Sequence, residues 1–126
     1  MDYVKVLVVV DEDDFRELIL KRLIFNHMTA QATKHGPIAM EILNRQEFDV
    51  VILDSGIAEE ESIETLRQIK ADKPEIEVIV LTGNTCVEFG ITAMKLGAFD
   101  YVIKPVVINE LLDKIRQAHE KKHNRT

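Results

Sequence analysis

Four residues whose side chains suit cation and phosphate chemistry each stand at the end of an apolar segment. They are Asp11, Asp54, Thr82 and Lys104. Two carboxylates beside a phosphate require a cation, and Mg²⁺ prefers oxygen ligands of this kind. Asp54 could serve as a nucleophile that forms an aspartyl phosphate, while an ammonium and a hydroxyl bind phosphate oxygens. This chemistry requires a fold that brings the four side chains together.

The apolar pattern predicts five strands that alternate with five helices. Nearly continuous apolar runs, typical of strands buried on both faces, cover 4–10, 50–53, 78–81 and 99–103, and a weaker strand at 29–33 is expected at an edge. Apolar residues at helical spacing mark 15–23, 38–43, 63–69, 87–94 and 108–115. Asp14 and Glu17 are placed as a capping box for the first helix, with Asp13 as a further cap.

Alternation of strands and helices predicts an α/β fold with helices on both faces of a parallel sheet. We expect the flavodoxin-like, doubly wound (βα)5 arrangement, with five parallel strands in the order 2-1-3-4-5. Ligands of such sheets bind beyond the carboxyl ends of the strands, where the strand order reverses. Asp11 and Asp54 are therefore expected in one crevice, with Thr82 beside them and Lys104 one strand further on.

The composition of the chain excludes several classes of protein. The chain has 126 residues, which fits one domain, and its net charge of −6 argues against general binding to nucleic acids. Its single cysteine excludes an internal disulfide. We find no signal peptide, no apolar run long enough for a bilayer and no glycine-rich nucleotide motif. These features predict a cytoplasmic protein with no membrane contact and no nucleotide cofactor.

The segments around the four polar residues resemble the receiver domain of two-component response regulators. The similarity rests on the acidic end of the first strand, ILDSG around Asp54, VLTGN with Thr82, and AMKLGAFDYVIKP with Lys104. It extends from about residue 4 to residue 119. It implies a receiver domain over residues 1–120, followed by a polar tail, 121–126, that could begin a linker.

The resemblance implies a role for each position of the site. Asp54 is expected as the phosphoacceptor. Asp11, Asp54 and the backbone carbonyl of Gly56 are expected to hold Mg²⁺. Thr82 and Tyr101 resemble the switch pair of the family, in which the hydroxyl turns towards the phosphate and the aromatic ring follows inward.

Lys104 resembles the lysine that binds phosphate in this family. An ammonium at this place supplies a point charge to phosphate oxygens. By the same analogy, the peptide bond between Lys104 and Pro105 is expected to be cis, a geometry found almost only before proline.

The end of the first strand departs from the family pattern, which usually has two adjacent acids. Aligning Asp14–Glu17 with the first helix puts Val10 at the first acid and Asp11 at the second. A slip of one residue would instead make Asp11 and Glu12 the pair. With Val10 in place we expect weaker Mg²⁺ binding and slower phosphorylation, with Glu12 as a further candidate ligand.

The segment after Asp54 also departs from the pattern Met-Pro-x-x-Asp-Gly that is common in the family. Residues 57–62 read Ile-Ala-Glu-Glu-Glu-Ser, without proline or glycine. The three glutamates favour the first turn of the third helix, where acids suit the helix dipole. They also add negative potential near a site that must accept a phosphoryl group.

The leading hypothesis is a phosphorylation switch with self-phosphorylation and self-dephosphorylation chemistry, not a metabolic enzyme. The donor would be a histidine kinase or a histidine phosphotransfer protein. An output domain, a target protein or a second copy would bind the face formed by the fourth helix, fifth strand and fifth helix. The alternatives are a degenerate receiver that acts by protein interaction alone and, more weakly, a small α/β enzyme or flavin carrier.

Overall fold

The computed structural model describes residues 3–56, 59–83 and 87–123, and within them five strands alternate with five helices. The strands are β1 (Lys5–Val9), β2 (Thr29–Thr33), β3 (Val50–Asp54), β4 (Glu77–Thr82) and β5 (Asp100–Ile103). The helices are α1 (Asp13–Phe25), α2 (Gly36–Arg45), α3 (Glu59–Asp72), α4 (Val87–Lys95) and α5 (Ile108–His123). The number and order of the elements agree with the apolar pattern of the sequence.

The strands form one parallel sheet in the order β2-β1-β3-β4-β5, which confirms the flavodoxin-like arrangement and the edge position of β2. Every residue of β3 and β4 is buried. One face packs against α1 and α5, through residues such as Ile19 and Ile115. The other face packs against α2, α3 and α4, through residues such as Leu43, Leu66 and Phe89. An apolar layer therefore covers each face of the sheet, and polar groups that could bind a ligand are expected at the ends of the strands.

The start of α1 corrects the predicted capping box. The helix begins at Asp13, and Glu12 is its N-cap, with the carboxylate accepting a hydrogen bond of 3.3 Å from the amide of Phe15. Arg16 holds this early turn, because its guanidinium donates to the carbonyl of Val10 at 3.0 Å and to Asp13 at 2.7 Å. The expectation that Asp14 or Asp13 would cap the helix was wrong, because the helix begins at Asp13 and the Glu12 carboxylate makes the cap hydrogen bond.

Helix α5 continues to His123, so the first three residues of the predicted polar tail are helical. Lys121 lies 3.3 Å from Glu77, and Lys122 lies 2.9 Å from Asp49. These pairs attach the last turn of α5 to the amino end of the sheet, opposite the end where the predicted site lies. No helix in the described part of the chain has the length and apolar character needed to cross a membrane.

Candidate functional site

The carboxyl end of β3 places Asp54 at the junction of the central strands. Asp54 is the last residue of β3, and the amide of Ser55 donates to the carbonyl of Leu81 in β4 at 2.9 Å. A cavity of about 140 Å³ opens at this edge, and Asp11, Asp54 and Gly56 lie among its lining residues. The crevice predicted for the two aspartates is therefore present.

Lys104 reaches Asp54 from β5, on the other side of β4. Its Nζ lies 2.6 Å from Oδ1 of Asp54, whose side chain is only 4% exposed. The contact is an ion pair between opposite charges. It does not have the geometry of a hydrogen bond, and no other described residue donates one to Oδ1. The amide of Lys104 donates to the carbonyl of Thr82 at 2.8 Å, and its Nζ lies 5.5 Å from the ring centroid of Phe15. Backbone pairing and the aromatic ring thus direct the ammonium to the acid.

Thr82 and Tyr101 both lie close to a glycine of α4, Gly90. Thr82 is 1% exposed, whereas Tyr101 is 41% exposed. A Cβ on Gly90 would lie 3.5 Å from the Tyr101 ring and 3.8 Å from Cγ2 of Thr82. Gly90, which no pattern in the sequence indicated, therefore lies against both residues of the expected switch pair.

The residues that follow β1 divide between the core and the site. Val10 is fully buried and belongs to the apolar cluster under α1 and α5. Asp11 is exposed and lines the cavity beside Asp54. The carboxylate of Glu12 is used as the cap of α1, so its role as a metal ligand stays a prediction. Of these three positions, only Asp11 presents a carboxylate to the cavity.

The donor set at the cavity suits Mg²⁺ better than a metal that needs a closed cage of protein ligands. The expected ligands are two carboxylates, from Asp11 and Asp54, and the carbonyl of Gly56. The cavity lining also includes a third acidic residue, Glu61. The left-handed φ of 56° at Gly56 brings its backbone close to Asp11, since a Cβ there would lie 4.0 Å from that of Asp11. Among the described residues, no group of three or more His, Cys, Asp or Glu side chains forms a metal cluster. Mg²⁺ commonly binds through one or two carboxylates and keeps several waters, so the residues present fit it.

The altered segment after Asp54 forms contacts that sequence reasoning missed. Ile57 and Ala58 lie outside the described residues, and Glu59, Glu60 and Glu61 form the first turn of α3, as expected from the helix dipole. The carboxylate of Glu61 accepts a hydrogen bond of 3.3 Å from the first amide of α2.

Ser62, the next residue, is buried, and its hydroxyl donates to the carbonyl of Asp54 at 2.8 Å. The only sequence signal for this contact is a serine where the family pattern has glycine.

The peptide bond between Lys104 and Pro105 is cis, as the analogy predicted. The carboxyl edge of the sheet brings together Asp11, Asp54, Thr82 and Lys104. They are held by the ends of β1, β3, β4 and β5. This edge combines a cavity lined by acidic residues, the buried carboxylate of Asp54 and a cation that follows β5, two strands away from the strand of Asp54. The domain is therefore of the class of flavodoxin-like proteins with an acidic site at the carboxyl edge of the sheet.

Comparison with known proteins agrees with this class. Residues 6–116 match the family described as the response regulator receiver domain. The transcriptional regulatory protein ZraR of Escherichia coli K12 is 36% identical over 120 residues, which cover 94% of this chain and 27% of ZraR. The response regulator MprA of Mycobacterium sp. KMS is 29% identical over 113 residues, which cover 90% of this chain and 49% of MprA. The chain thus spans between a quarter and a half of these relatives.

Solved structures show the same fold. The receiver domain of NtrX from Brucella abortus has a TM-score of 0.84 and 26% identity, over 91% of this chain and 98% of that one. A CheY-like receiver domain from Methanospirillum hungatei has a TM-score of 0.91 and 20% identity, over 99% of this chain and all of that one. The chain belongs to the response regulator receiver domain family. It is therefore a module of two-component signal transduction.

Proposed function

We propose that this domain is a phosphorylation switch in which Asp54 accepts a phosphoryl group from a histidine kinase or a histidine phosphotransfer protein. One observation carries the proposal: the nearly buried Asp54 carboxylate lies 2.6 Å from the Lys104 ammonium, in a cavity shared with Asp11. Phosphoryl transfer depends mainly on positioning and on neutralising charge, and these groups do both.

In the proposed reaction, a carboxylate oxygen of Asp54 attacks the phosphorus of a phosphohistidine. The P–N bond breaks with its electron pair on the imidazole nitrogen, and an acyl phosphate forms on Asp54. Asp11, Asp54 and the Gly56 carbonyl would hold Mg²⁺, which when bound offsets the charge on the phosphoryl oxygens. Lys104 would then pair with a phosphoryl oxygen. Water later attacks the phosphorus of the acyl phosphate, which releases inorganic phosphate and restores the free carboxylate.

The signal would pass through Thr82 and Tyr101. Thr82 is buried beside the site and can offer its hydroxyl to a phosphoryl oxygen. Tyr101 is half exposed at the edge strand, so an inward movement of its ring changes the surface of the domain. Phosphorylation would bias two existing states of this pair, because the added charge interacts differently with each state.

The surface that changes would be the face of α4, β5 and α5, where a partner can bind. This face exposes several large apolar side chains, Val87, Ile91, Met94, Tyr101, Ile103 and Val107. Exposed apolar side chains that form a large patch mark interaction surfaces, and several such side chains lie on this face. We propose that an output domain, a target protein or a second copy binds here, in the cytoplasm and without direct contact to nucleic acid or membrane.

Incubation with acetyl phosphate tests the proposal without requiring the natural kinase. We expect a mass increase of one phosphoryl group that needs Mg²⁺ and is lost in Asp54→Asn, which keeps the shape of the side chain. Asp100→Asn serves as a matched control at a surface ion pair away from the cavity. Equal phosphorylation of the Asp54→Asn variant would refute the assignment.

Val10 favours a second candidate, a degenerate receiver that acts through protein contacts alone. Its side chain is fully buried in the core and supplies no carboxylate where the family usually has an acid. If no phosphodonor modifies the wild-type chain at any Mg²⁺ concentration, this second function becomes the better account.

A further inference from the structure

We propose that Ser62 is a positioning residue that holds the peptide of Asp54 in the orientation needed at the site. The hydroxyl of Ser62 donates to the carbonyl of Asp54 at 2.8 Å and lies 3.3 Å from the carbonyl of Ser55. Ser62 is 8% exposed, and both acceptors are also buried. An effect of this hydrogen bond on phosphorylation rests on the proposed function of Asp54. The hydrogen bond is observed whatever that function is.

The hydrogen bond connects two elements across the segment that departs from the family pattern. Asp54 ends β3, and Ser62 lies in α3, eight residues later. The amide of Ser55 is bound to β4 through Leu81, so the end of β3 is held from the sheet side. Ser62 holds it from the helix side. The orientation of the Asp54 peptide sets the direction of its Cα–Cβ bond, and the serine therefore fixes the point from which the side chain extends into the cavity.

The direction of the Ser62 hydroxyl distinguishes it from an ordinary helical hydroxyl. Serine and threonine within helices commonly donate to the carbonyl four residues earlier. Thr65, less than one turn further along α3, does this by donating to the carbonyl of Glu61 at 2.9 Å. Ser62 instead donates outside its own helix, to the phosphoacceptor. Removing the donor to a buried carbonyl destabilises the folded protein, because water cannot reach that carbonyl to form a hydrogen bond in its place.

Four proteins separate positioning from general stability: the wild type, Ser62→Ala, Ser62→Thr and Thr65→Val. The alanine variant removes the bond, the threonine variant keeps a hydroxyl, and the valine variant removes a buried hydroxyl elsewhere on α3. Two quantities are measured for each. The first is the rate of Asp54 phosphorylation by acetyl phosphate at saturating Mg²⁺ and donor. The second is the ¹³C chemical shift of the Asp54 backbone carbonyl in labelled protein, which reports directly on hydrogen bonding to that oxygen.

We expect Ser62→Ala to lower the saturated rate by about tenfold, the kinetic equivalent of one hydrogen bond to a buried group. Its Asp54 carbonyl shift should move, Ser62→Thr should restore both quantities, and Thr65→Val should leave both near wild type. An unchanged carbonyl shift in Ser62→Ala overturns the proposal, as does an equal loss of rate in Thr65→Val. If the wild type is not phosphorylated, the proposed function fails, and the carbonyl shift alone still decides the role of Ser62.

Discussion

The ammonium of Lys104 lies 2.6 Å from Oδ1 of Asp54, although Asp54 ends β3 and Lys104 follows β5, on the far side of β4. The Asp54 side chain is 4% exposed, so water contributes little to the solvation of its charge. The pair lies at the carboxyl edge of the sheet. Its buried carboxylate, and not its lysine, which is 33% exposed, makes it different from the other lysine–aspartate pairs among the described residues.

Lys104→Met should therefore destabilise the domain more than the same change at a surface pair. We expect urea unfolding at neutral pH to show a loss of about 1–3 kcal/mol, because a buried charge is left without its partner. Lys114→Met is the matched control, since Lys114 also lies 2.6 Å from an aspartate, Asp100, but in a pair about 30% exposed. That change should cost at most about 1 kcal/mol. Equal losses in the two variants would contradict a special role for the buried pair.

Val10→Asp should increase the dependence of stability on Mg²⁺. Val10 is fully buried, so an aspartate there should destabilise the metal-free domain by about 2 kcal/mol or more. Bound Mg²⁺ stabilises the folded state according to its affinity, so adding MgCl₂ should restore more free energy of unfolding in the variant than in the wild type. Val10→Asn, which has the same size but no charge, should show no such recovery. Equal responses of wild type and Val10→Asp to MgCl₂ would argue against weakened metal binding in the natural sequence.

Alanine substitutions at two helical glycines should have opposite effects on stability. A Cβ on Gly36 would lie 1.9 Å from Oγ1 of Thr65, so Gly36→Ala forces α2 and α3 apart and should cost about 1–3 kcal/mol. A Cβ on Gly90 would meet the Tyr101 ring at 3.5 Å, an ordinary contact distance. Gly90→Ala should instead stabilise α4 by up to about 1 kcal/mol, because glycine costs conformational entropy in a helix. Thermal unfolding measures both changes, and effects of the same sign would refute the packing argument.

Asp49 makes the stability of the domain depend on acid pH. Burial raises the pKa of Asp49, but the amide of Lys5 and the ammonium of Lys122, each 2.9 Å away, hold that pKa below its usual value of 3.8. His119 also faces the carboxylate, at 3.8 Å. A folded-state pKa below the unfolded one means that the ionised group stabilises the fold above the unfolded pKa. This stabilisation is lost as the pH falls through the folded pKa.

Asp49→Asn should accordingly reduce the free energy of unfolding by about 1 kcal/mol at pH 7. The difference from wild type should shrink below about pH 4 and vanish once Asp49 is protonated in both states. Urea unfolding at a series of pH values measures it. A difference that stays constant down to pH 2 would show that shape, not charge, is responsible.

The positions of Asp54 and Lys104 could be predicted because they depend on local patterns and chain order. Each follows an apolar run, and alternation of strands with helices leaves few ways to connect a parallel sheet. The carboxyl ends of the strands then meet at one edge. The cap of α1 could not be predicted in the same way. Glutamate is not a preferred N-cap, and Glu12 takes this role in a turn held by Arg16 through the carbonyl of Val10.

The sequence by itself determined the fold class and the identities of the groups at the acidic edge, because periodicity and the alternation of elements are local properties. The strand order was expected by analogy with flavodoxin-like sheets. Only the tertiary structure decided how distant segments approach one another. It placed the Ser62 hydroxyl on the Asp54 carbonyl and left Gly36 no room for a side chain. It also buried Glu77 completely, within 3.7 Å of Lys70 and 3.3 Å of Lys121. Such contacts depend on how helices pack across the sheet. The residue pattern of a single segment does not encode which residues of other segments it will meet.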